Sequence, residues 1–541
     1  MTKDSQFGPA AVWALALLLT GAALLLPNMH QQGFLSSGDH GRELYAFAHI
    51  FDGKQSQTPY QDYWWMYGPL MPYYYGLCMK IFGVSVFSVL IGKTLLLLAT
   101  GVFIGLTVMS FGPPVAGLAA AAWFWINFQN FYHTHNHTGG VAIVAALAFF
   151  LVKYIRTGRA ACLWLILISA FLVALIKLNV GIVTLPTAIL AVFLVGLYDR
   201  RPFADGRTRF FLLAGLAVPL AVAGIHALFL RGLTTAELSQ CFPFGTQYRQ
   251  YTNTPWQSIL TLANAFLANL QRSMPDKIML LLVWIAAGRS AWLLWRKQVD
   301  PAQIRSFALS LAALTILFVA MLHEYLFSNI NYCLYWAQPV WITIMFVLLA
   351  FAVRQLSSFW RTLSSSAFVV MLLYMAGYSY INSSLVLTPE HFLRHPKVQT
   401  YVYNDPAWLR TVNQAVSFLE QNLSPNETFF AFPYDPLYYY LTGRRTPTWQ
   451  SCFFAFQHVT PAQEEKTIAD LERQKIEWVL VSNRIVSSEA GLGVTGRDYC
   501  PKLTQYLDSN FVKVMVAGDW QNPAGWAWNH GVMVLKRKYG R

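Results

Sequence analysis

Two carboxylates lie four residues apart in the longest polar stretch of the first half of the chain, residues 28–80. They are Asp39 and Glu43, and on a helix that spacing lets both point the same way. A carboxylate held in this way can accept a proton from a substrate hydroxyl. Alternatively, the carboxylate only stabilises the helix, because a negative charge near the N-terminus interacts favourably with the helix dipole. The spacing by itself leaves both interpretations open.

Further polar residues could contact a substrate. The candidate binding residues are Asp62, His133, His135, His137, Lys177, Arg231, Arg249, His323, Glu324 and Tyr332. The arginines suit a phosphate, because the guanidinium fork binds it through two hydrogen bonds. Some of these polar residues have a competing interpretation. Glu43 and Asp62 could have a structural hydrogen-bonding role, and the Lys177 side chain could extend to the membrane surface. Glu324 and Tyr332 could lie in an ordinary aromatic belt at the membrane interface.

Three histidines alternate along residues 133–137. In an extended segment this spacing places the three rings on one side, and imidazole is a good ligand for zinc. No Cys or acid lies beside them, so we favour a polar loop or a phosphate contact over a metal site. A divalent metal stays possible but is not required.

The composition indicates the class of protein that must position these groups. Of 541 residues, 55% are hydrophobic, 16% aromatic and only 12% charged, and the mean hydropathy is +0.40. A soluble domain carries about 25% charged residues, so an ordinary soluble enzyme and a disordered chain are excluded. The net charge is +14. Its basic excess lies in the apolar part of the chain, which argues against a nucleic-acid partner.

Apolar runs of about 20 residues predict membrane spans. Eleven candidate spans lie at residues 10–27, 84–110, 114–131, 139–153, 161–177, 180–198, 210–230, 278–295, 304–322, 334–353 and 363–382. Basic residues concentrate in alternate loops, near residues 153–159, 200–209, 289–305 and 354–361. Because such loops face the cytoplasm, we expect a cytoplasmic N-terminus and an extracytoplasmic C-terminal segment. We interpret the first span as uncleaved, since no signal-peptidase site follows it.

Two segments should position the first carboxylates. Leu44, Phe47, Ala48 and Phe51 recur at helical spacing and predict an amphipathic helix that lies along the membrane interface, capped by Ser36 or Ser37. Residues 58–75 then combine prolines with aromatic residues. They predict a kinked second segment close to the membrane.

The composition changes near residue 385 to that of a soluble domain. Alternating patterns predict helices near 406–421, 461–475 and 501–507, and strands near 428–432, 477–482, 511–517 and 531–535. This order predicts a small α/β domain at 385–541, after a transmembrane domain at 1–384. Cys452 and Cys500 could pair in an oxidising compartment, but their spacing does not establish a bridge.

These residues resemble a known family. The run from Asp39 to Gly53, the Pro59-Tyr60-x-Asp62 motif, the Gly68-Pro69-Leu70-x-Pro72-Tyr73 motif and the stretch from Tyr434 to Thr448 resemble the GT-C superfamily of integral-membrane glycosyltransferases. The branch closest in layout contains protein mannosyltransferases and aminoarabinose transferases. Those enzymes have 11 to 13 spans and often a soluble C-terminal domain.

The resemblance implies a function for the first carboxylate. Asp39 matches the catalytic Asp of the family and would be the general base that accepts the proton of an acceptor hydroxyl. Many relatives have Asp-Glu where this chain has Asp39-His40, so the second acid is missing and Glu43 is its candidate replacement. This departure leaves the metal requirement undetermined.

We therefore predict a polytopic α-helical membrane protein with about eleven spans, a GT-C-like fold and a small extracytoplasmic C-terminal α/β domain. The predicted function is inverting transfer of a hexose or pentose from a polyprenyl-phosphate donor to a lipid, glycan or protein acceptor outside the bacterial inner membrane. One alternative is a transporter or lipid flippase, although no carboxylate lies mid-span as proton coupling would require. A second alternative is a non-catalytic scaffold for envelope assembly.

Overall fold

The fold is known from a computed structural model. It describes residues 38–127, 135–198, 206–242, 254–272, 300–328, 330–353, 395–398, 406–486, 493–520 and 531–538, with Thr20, Leu393 and scattered residues of 285–296 and 363–377. The chain divides into two compact units. The first contains residues 1–26, 93–225 and 251–381, and the second contains residues 27–92, 226–250 and 382–541. We call them the helical unit and the mixed unit.

Helices dominate the first 353 residues. In chain order, those of the described part are α1 (Gly38–His49), α2 (Leu70–Phe82), α3 (Val86–Met109), α4 (Pro113–Asn127), α5 (His135–Thr157), α6 (Ala160–Ile176), α7 (Leu178–Tyr198), α8 (Gly206–Phe229), α9 (Thr235–Cys241), α10 (Pro255–Arg272), α11 (Pro301–Met321), α12 (His323–Ser328) and α13 (Gln338–Val353). A 3₁₀ turn, Asn331–Trp336, precedes α13.

Five segments of the described residues are long and apolar enough to cross a membrane: Val86–Met109, His135–Thr157, Leu178–Tyr198, Arg209–Phe229 and Pro301–Ser328. Each contains or overlaps one predicted span, and three shorter apolar helices match the predicted spans 114–131, 161–177 and 334–353. The predicted spans 10–27, 278–295 and 363–382 lie wholly or largely outside the described residues. The chain is therefore a multi-pass membrane protein, as its composition predicts.

Small residues bring the helices of the helical unit close together. A Cβ atom on Gly101 of α3 would lie 2.3 Å from the Phe124 ring of α4, and one on Gly140 of α5 would lie 2.1 Å from the Trp336 ring. Because lipid gives little hydrophobic drive between helices, close van der Waals packing of this kind holds them together.

The C-terminal part of the mixed unit is α/β, as predicted. Its described elements are α14 (Pro406–Asn422), β1 (Phe429–Phe432), α15 (Leu437–Thr442), α16 (Pro461–Arg473), β2 (Trp478–Ser482), α17 (Pro501–Asn510), β3 (Phe511–Gly518) and β4 (Gly531–Arg537). The described strands form one sheet in the order β1-β2-β4-β3, with β1 parallel to β2 and the other pairs antiparallel. Buried Phe430, Val479 and Leu503 pack in its core.

The first loop is part of the mixed unit. Helix α1 forms where the apolar periodicity predicts it. Leu44 and Phe47 are buried, and so are Arg42 and Glu43 on its polar side, so its polar face is not the solvated face that an amphipathic pattern predicts. Phe51, predicted on the apolar face, follows the helix and is 39% exposed. The helix α15 packs against α1, and the position of α1 at the membrane interface stays a prediction. The predicted domain boundary near 384 stays a prediction.

Candidate functional site

A carboxylate on the first turn of α1 is the centre of the candidate site. Asp39 is followed one helical turn later by Arg42, whose Nη2 lies 2.9 Å from Oδ1 of Asp39. The hydroxyl of Tyr434, from the segment between β1 and α15, donates a 2.6 Å hydrogen bond to the same oxygen. Hydrogen bonds to a charged carboxylate are among the stronger ones in proteins. The Asp39 side chain keeps 19% of its surface exposed, so it remains accessible.

An aromatic cage surrounds the arginine. The guanidinium carbon of Arg42 lies 5.1 Å from the Trp64 ring, 5.6 Å from the Trp65 ring and 5.3 Å from the Tyr67 ring. Nη1 also approaches the sulfur of Met66 at 3.3 Å. Such desolvated cation–π contacts contribute about 2 kcal/mol or more. Because the cage holds the guanidinium, it also restrains the carboxylate that the guanidinium contacts.

The protonation states in this cluster follow from its burial. Burial by itself lowers the pKa of Arg42, but the oxygens of Tyr434 and Asp39 more than offset this effect and keep the guanidinium charged. Burial raises the pKa of Tyr434 well above its usual value; Arg42 lowers it and Asp39 raises it further. The Tyr434 hydroxyl therefore stays protonated at neutral pH and acts as a donor to Asp39.

Two glycines of α1 let the C-terminal segment approach. A Cβ atom on Gly38 would lie 2.5 Å from the Tyr434 ring, and one on Gly41 would lie 2.8 Å from the backbone nitrogen of Leu437. A larger residue at either position would therefore collide with this segment. The glycines on both sides of Asp39 thus have a packing role.

The loop that follows is tied to the same unit. The backbone nitrogen of its cage residue Trp64 donates a 2.8 Å hydrogen bond to the Trp449 carbonyl, and the Trp64 indole donates to the Gln240 carbonyl at 3.2 Å. Asp62 is exposed and accepts a 2.6 Å hydrogen bond from the backbone nitrogen of Thr58. The structure thus gives Asp62 a turn-forming contact and does not bring it to Asp39.

Glu43 differs from Asp39 in its surroundings. It is fully buried at 0% exposure, whereas Asp39 is reached by solvent. The two acids share a helix, but only Asp39 presents its carboxylate at the surface of the mixed unit. A direct role for Glu43 in proton transfer stays a prediction.

A second cluster lies in the helical unit. Nζ of Lys177, at the end of α6, is 2.6 Å from Oε1 of Glu324 and 3.4 Å from Nε2 of His137. The amide of Asn179 donates to the same glutamate oxygen at 2.6 Å, and the ring of Tyr332 stacks on His137 with centroids 5.6 Å apart. Four residues predicted to bind a substrate therefore come together here: His137, Lys177, Glu324 and Tyr332.

The remaining predicted binding residues are placed differently. His135 is buried at the start of α5, and Nδ1 of His323 lies 2.7 Å from the Ala320 carbonyl. Arg231 is exposed in the turn after α8. His133 and Arg249 lie outside the described residues.

The extended geometry expected for residues 133–137 is wrong for its last two histidines. His135 and His137 lie in the first turn of α5, where side chains two positions apart point in different directions. Among the described residues, no group of three or more His, Cys, Asp or Glu side chains is close enough to hold a metal. Cys452 and Cys500 are buried as free thiols.

Several members of these clusters are absent from the residues that the sequence singles out. In the sequence, Arg42 looks like an ordinary charged loop residue. Its position three residues after Asp39 on a predicted helix could nevertheless have predicted an ion pair between the two side chains. Asn179, and Trp336 whose ring centroid lies 5.8 Å from Nζ of Lys177, carry no pattern that indicates a role. Tyr434 lies in a motif that the resemblance includes, but its contact with a residue so distant in the chain leaves no local signal.

The fold and the clusters together define a class: a multi-pass membrane protein with a carboxylate site in a mixed α/β unit that contains the first loop. Two solved structures have a similar fold. One is ArnT from Cupriavidus metallidurans in the apo state, with a TM-score of 0.56 and 13% identity, covering 97% of this chain and 98% of that chain. The other is ArnT from the same organism bound to undecaprenyl phosphate, with a TM-score of 0.55 and 14% identity, covering 98% of each chain.

This likeness shows that the chain has the fold of ArnT over nearly its full length. At such low identity it shows the fold alone. No family model and no curated protein sequence matches the chain.

Proposed function

We propose that this chain is a GT-C-type glycosyltransferase that moves a sugar from a polyprenyl-phosphate carrier to an acceptor hydroxyl. The observation that carries the proposal is the Asp39 carboxylate, which is partly exposed and is oriented by Arg42 and Tyr434. Supporting it is the fold, shared over nearly the full length with an ArnT structure that contains undecaprenyl phosphate.

The proposed reaction needs one proton acceptor. The acceptor oxygen bonds to the anomeric carbon of the donor while the bond from that carbon to the phosphate oxygen breaks. The electron pair leaves with the polyprenyl phosphate, which gains one negative charge, and the hydroxyl proton passes to Asp39. Attack from the face opposite the phosphate inverts the anomeric centre. A positioned carboxylate contributes about 10²–10⁴-fold to such a step.

Donor recognition is assigned to the second cluster. Lys177 is matched in charge by Glu324 at 2.6 Å, so the pair is close to neutral. Together with the Asn179 amide and the Tyr332 ring, it suits the hydroxyls and the face of a sugar better than it suits an anionic phosphate. Other cations would then have to bind the phosphate. Our candidates are Arg249 and the exposed Arg231.

The proposed topology follows the distribution of basic residues. The N-terminus lies in the cytoplasm of a bacterial cell, the spans cross the inner membrane, and residues 385–541 lie outside. On this side of the membrane no nucleotide sugar is available, which is why a lipid-linked donor is the fitting substrate. The sugar could be a hexose or a pentose, and the acceptor a lipid, a glycan or a protein.

The experiment compares native cells that lack the gene with cells that carry it. Without the chain, a lipid extract should accumulate one polyprenyl-phosphate sugar, and mass spectrometry of the envelope should show a glycan that has lost one sugar. The wild-type gene should reverse both changes. Asp39→Asn should reverse neither, although it is inserted in the membrane at the same level, because an amide cannot accept the proton.

Two outcomes would contradict the proposal. Full complementation by Asp39→Asn would exclude this carboxylate as the base and favour a scaffold, whose function needs no proton transfer. Accumulation of a lipid-linked sugar only on the cytoplasmic leaflet, together with retained function of Asp39→Asn, would favour a flippase. Asn422→Asp, an exposed change on α14, is the matched control and should complement fully.

A further inference from the structure

The C-terminal segment reaches the carboxylate site through one side chain. Tyr434 follows β1 and precedes α15, and its hydroxyl lies 2.6 Å from Oδ1 of Asp39. We propose that Tyr434 is a positioning residue for the base, so that the C-terminal α/β segment is a working part of the active site. This inference rests on the proposed glycosyltransferase function and gives the segment a role in it.

The geometry of the carboxylate explains the role. The terminal torsion of an Asp side chain is broad and roughly two-fold, so one contact leaves the group free to turn. Arg42 forms an ion pair with Oδ1, and Tyr434 donates a hydrogen bond to the same oxygen, so two contacts from different residues restrain the plane of the carboxylate. We assign proton transfer to Oδ2, the oxygen that these two contacts orient but do not use.

Tyr434 is held rigidly enough to do this. Its ring fills the space beside Gly38 and lies 5.8 Å from the Phe454 ring. The next residue, Asp435, accepts a hydrogen bond from the Ser482 hydroxyl and pairs with Arg484 at 3.6 Å. Because Asp435 is tied to the last residue of β2 and to Arg484 just beyond that strand, the hydroxyl of Tyr434 is held in position at Asp39.

The same segment offers a matched control. Tyr438, in α15, is as buried as Tyr434, each at 1% exposure. Its hydroxyl has no hydrogen-bond partner in the described part of the chain. Tyr438→Phe therefore removes an equivalent oxygen without removing a bond, whereas Tyr434→Phe removes a bond to the carboxylate.

Among the described residues, the titratable groups that act on Tyr434 are Asp39, Arg42 and Cys452. Arg42 is charged throughout the assay range, and burial raises the pKa of Cys452, so that the thiol stays neutral. A pH–rate profile that changes in Tyr434→Phe but not in Tyr438→Phe therefore depends on the contact that Tyr434 makes.

The test uses the full chain in membranes from cells that lack the gene. The probe is the polyprenyl-phosphate sugar that accumulates in those cells, and the readout is release of polyprenyl phosphate. Tyr434→Phe should lower the maximal rate about tenfold, as expected for losing one hydrogen bond to a charged group. It should leave KM for the donor within about twofold and change the shape of the pH–rate profile. Tyr438→Phe should match the wild type in all three.

A second variant avoids any effect of a missing oxygen on folding. 3-Fluorotyrosine at position 434 keeps the ring and the donating hydroxyl, so it should keep a maximal rate close to that of the wild type. Melting temperature and membrane yield are measured for every variant.

The outcomes separate the two proposals. If the wild type releases no polyprenyl phosphate, the proposed function fails and this inference fails with it. If Asp39→Asn abolishes release but Tyr434→Phe has the wild-type rate and pH profile, only the positioning role is overturned. The positioning role is also overturned if Tyr434→Phe and Tyr438→Phe lose activity equally, together with melting temperature, because both tyrosines would then be structural.

Discussion

Arg42 and Asp39 form an ion pair within a single helical turn, with Nη2 of the arginine 2.9 Å from Oδ1 of the aspartate. The arginine is 2% exposed in its side chain and the aspartate 19%. A buried cation thus holds an accessible anion. Such an asymmetry would suit the proposed base, because the restraint comes from inside the protein while the carboxylate is reached by solvent.

Replacing the arginine by lysine tests the aromatic cage. We expect Arg42→Lys to lower the rate of polyprenyl phosphate release by at least about tenfold and to lower the melting temperature. An ammonium keeps the charge but cannot stack as a plane among three rings while it donates to Asp39. The matched control is Arg445→Lys, since Arg445 is 35% exposed in its side chain. It should stay within about twofold of the wild-type rate.

A wild-type rate and melting temperature in Arg42→Lys would show that the charge alone is sufficient. The cage would then have no part in positioning Asp39.

The Lys177–Glu324 pair allows a double-mutant cycle. Lys177→Met or Glu324→Gln alone should each destabilise the protein by about 3 kcal/mol, because each leaves one buried charge without its partner. The double variant should be destabilised by clearly less than the sum of the two. Thermal unfolding of the purified chain in detergent measures all three.

The exposed pair Lys502–Glu465, at 47% and 62% side-chain exposure, serves as the control cycle. It should show no measurable coupling, since exposed pairs contribute little. Strict additivity at Lys177 and Glu324 would contradict the contact between them, and with it the near-neutral cluster on which donor recognition is proposed.

The stability of the mixed unit should fall in mild acid through His49. Burial lowers the pKa of His49 to about 4, although the nearby Asp52 pulls it upward. An unfolded histidine has a pKa of about 6.5, so between these values the unfolded chain binds a proton that the folded chain does not. The contribution of His49 to stability is therefore complete above about pH 6.5 and is lost as the pH falls toward 4.

Melting temperatures from about pH 7.5 to about pH 4.5, a range that spans most of this titration, measure the effect. His49→Gln should reduce the fall across that range, whereas the same replacement at His458, which is exposed, should not. An equal fall in the wild type and in His49→Gln would show that His49 is not held neutral by its surroundings.

Much of the architecture was predictable because its signals are local. Apolar runs predicted α3, α5, α7, α8 and α11. The helix predicted near 461–475 is α16, which begins with a capping box at Thr460. The strands of the C-terminal sheet match their predicted positions to within a few residues. Helix and strand periodicity depend on neighbours a few positions away, and these are visible in a single sequence.

The surroundings of α1 were not predictable in the same way. Its polar side, with Arg42 and Glu43, has the character of a solvated face, yet both residues are buried. One element that packs against α1, the helix α15, is encoded some 400 residues later. No periodicity within α1 can indicate whether that face meets water, membrane or another segment.

From its residues alone, this chain determined a multi-pass membrane protein, a C-terminal α/β domain and the helix that carries Asp39, since each follows from hydrophobic pattern and local capping. Only the tertiary structure decided that Tyr434 and the Trp64 loop enclose that helix, and that Lys177 meets Glu324. These contacts join residues far apart in the chain, and their free energy comes from the burial and charge pairing that arise only when distant segments pack together.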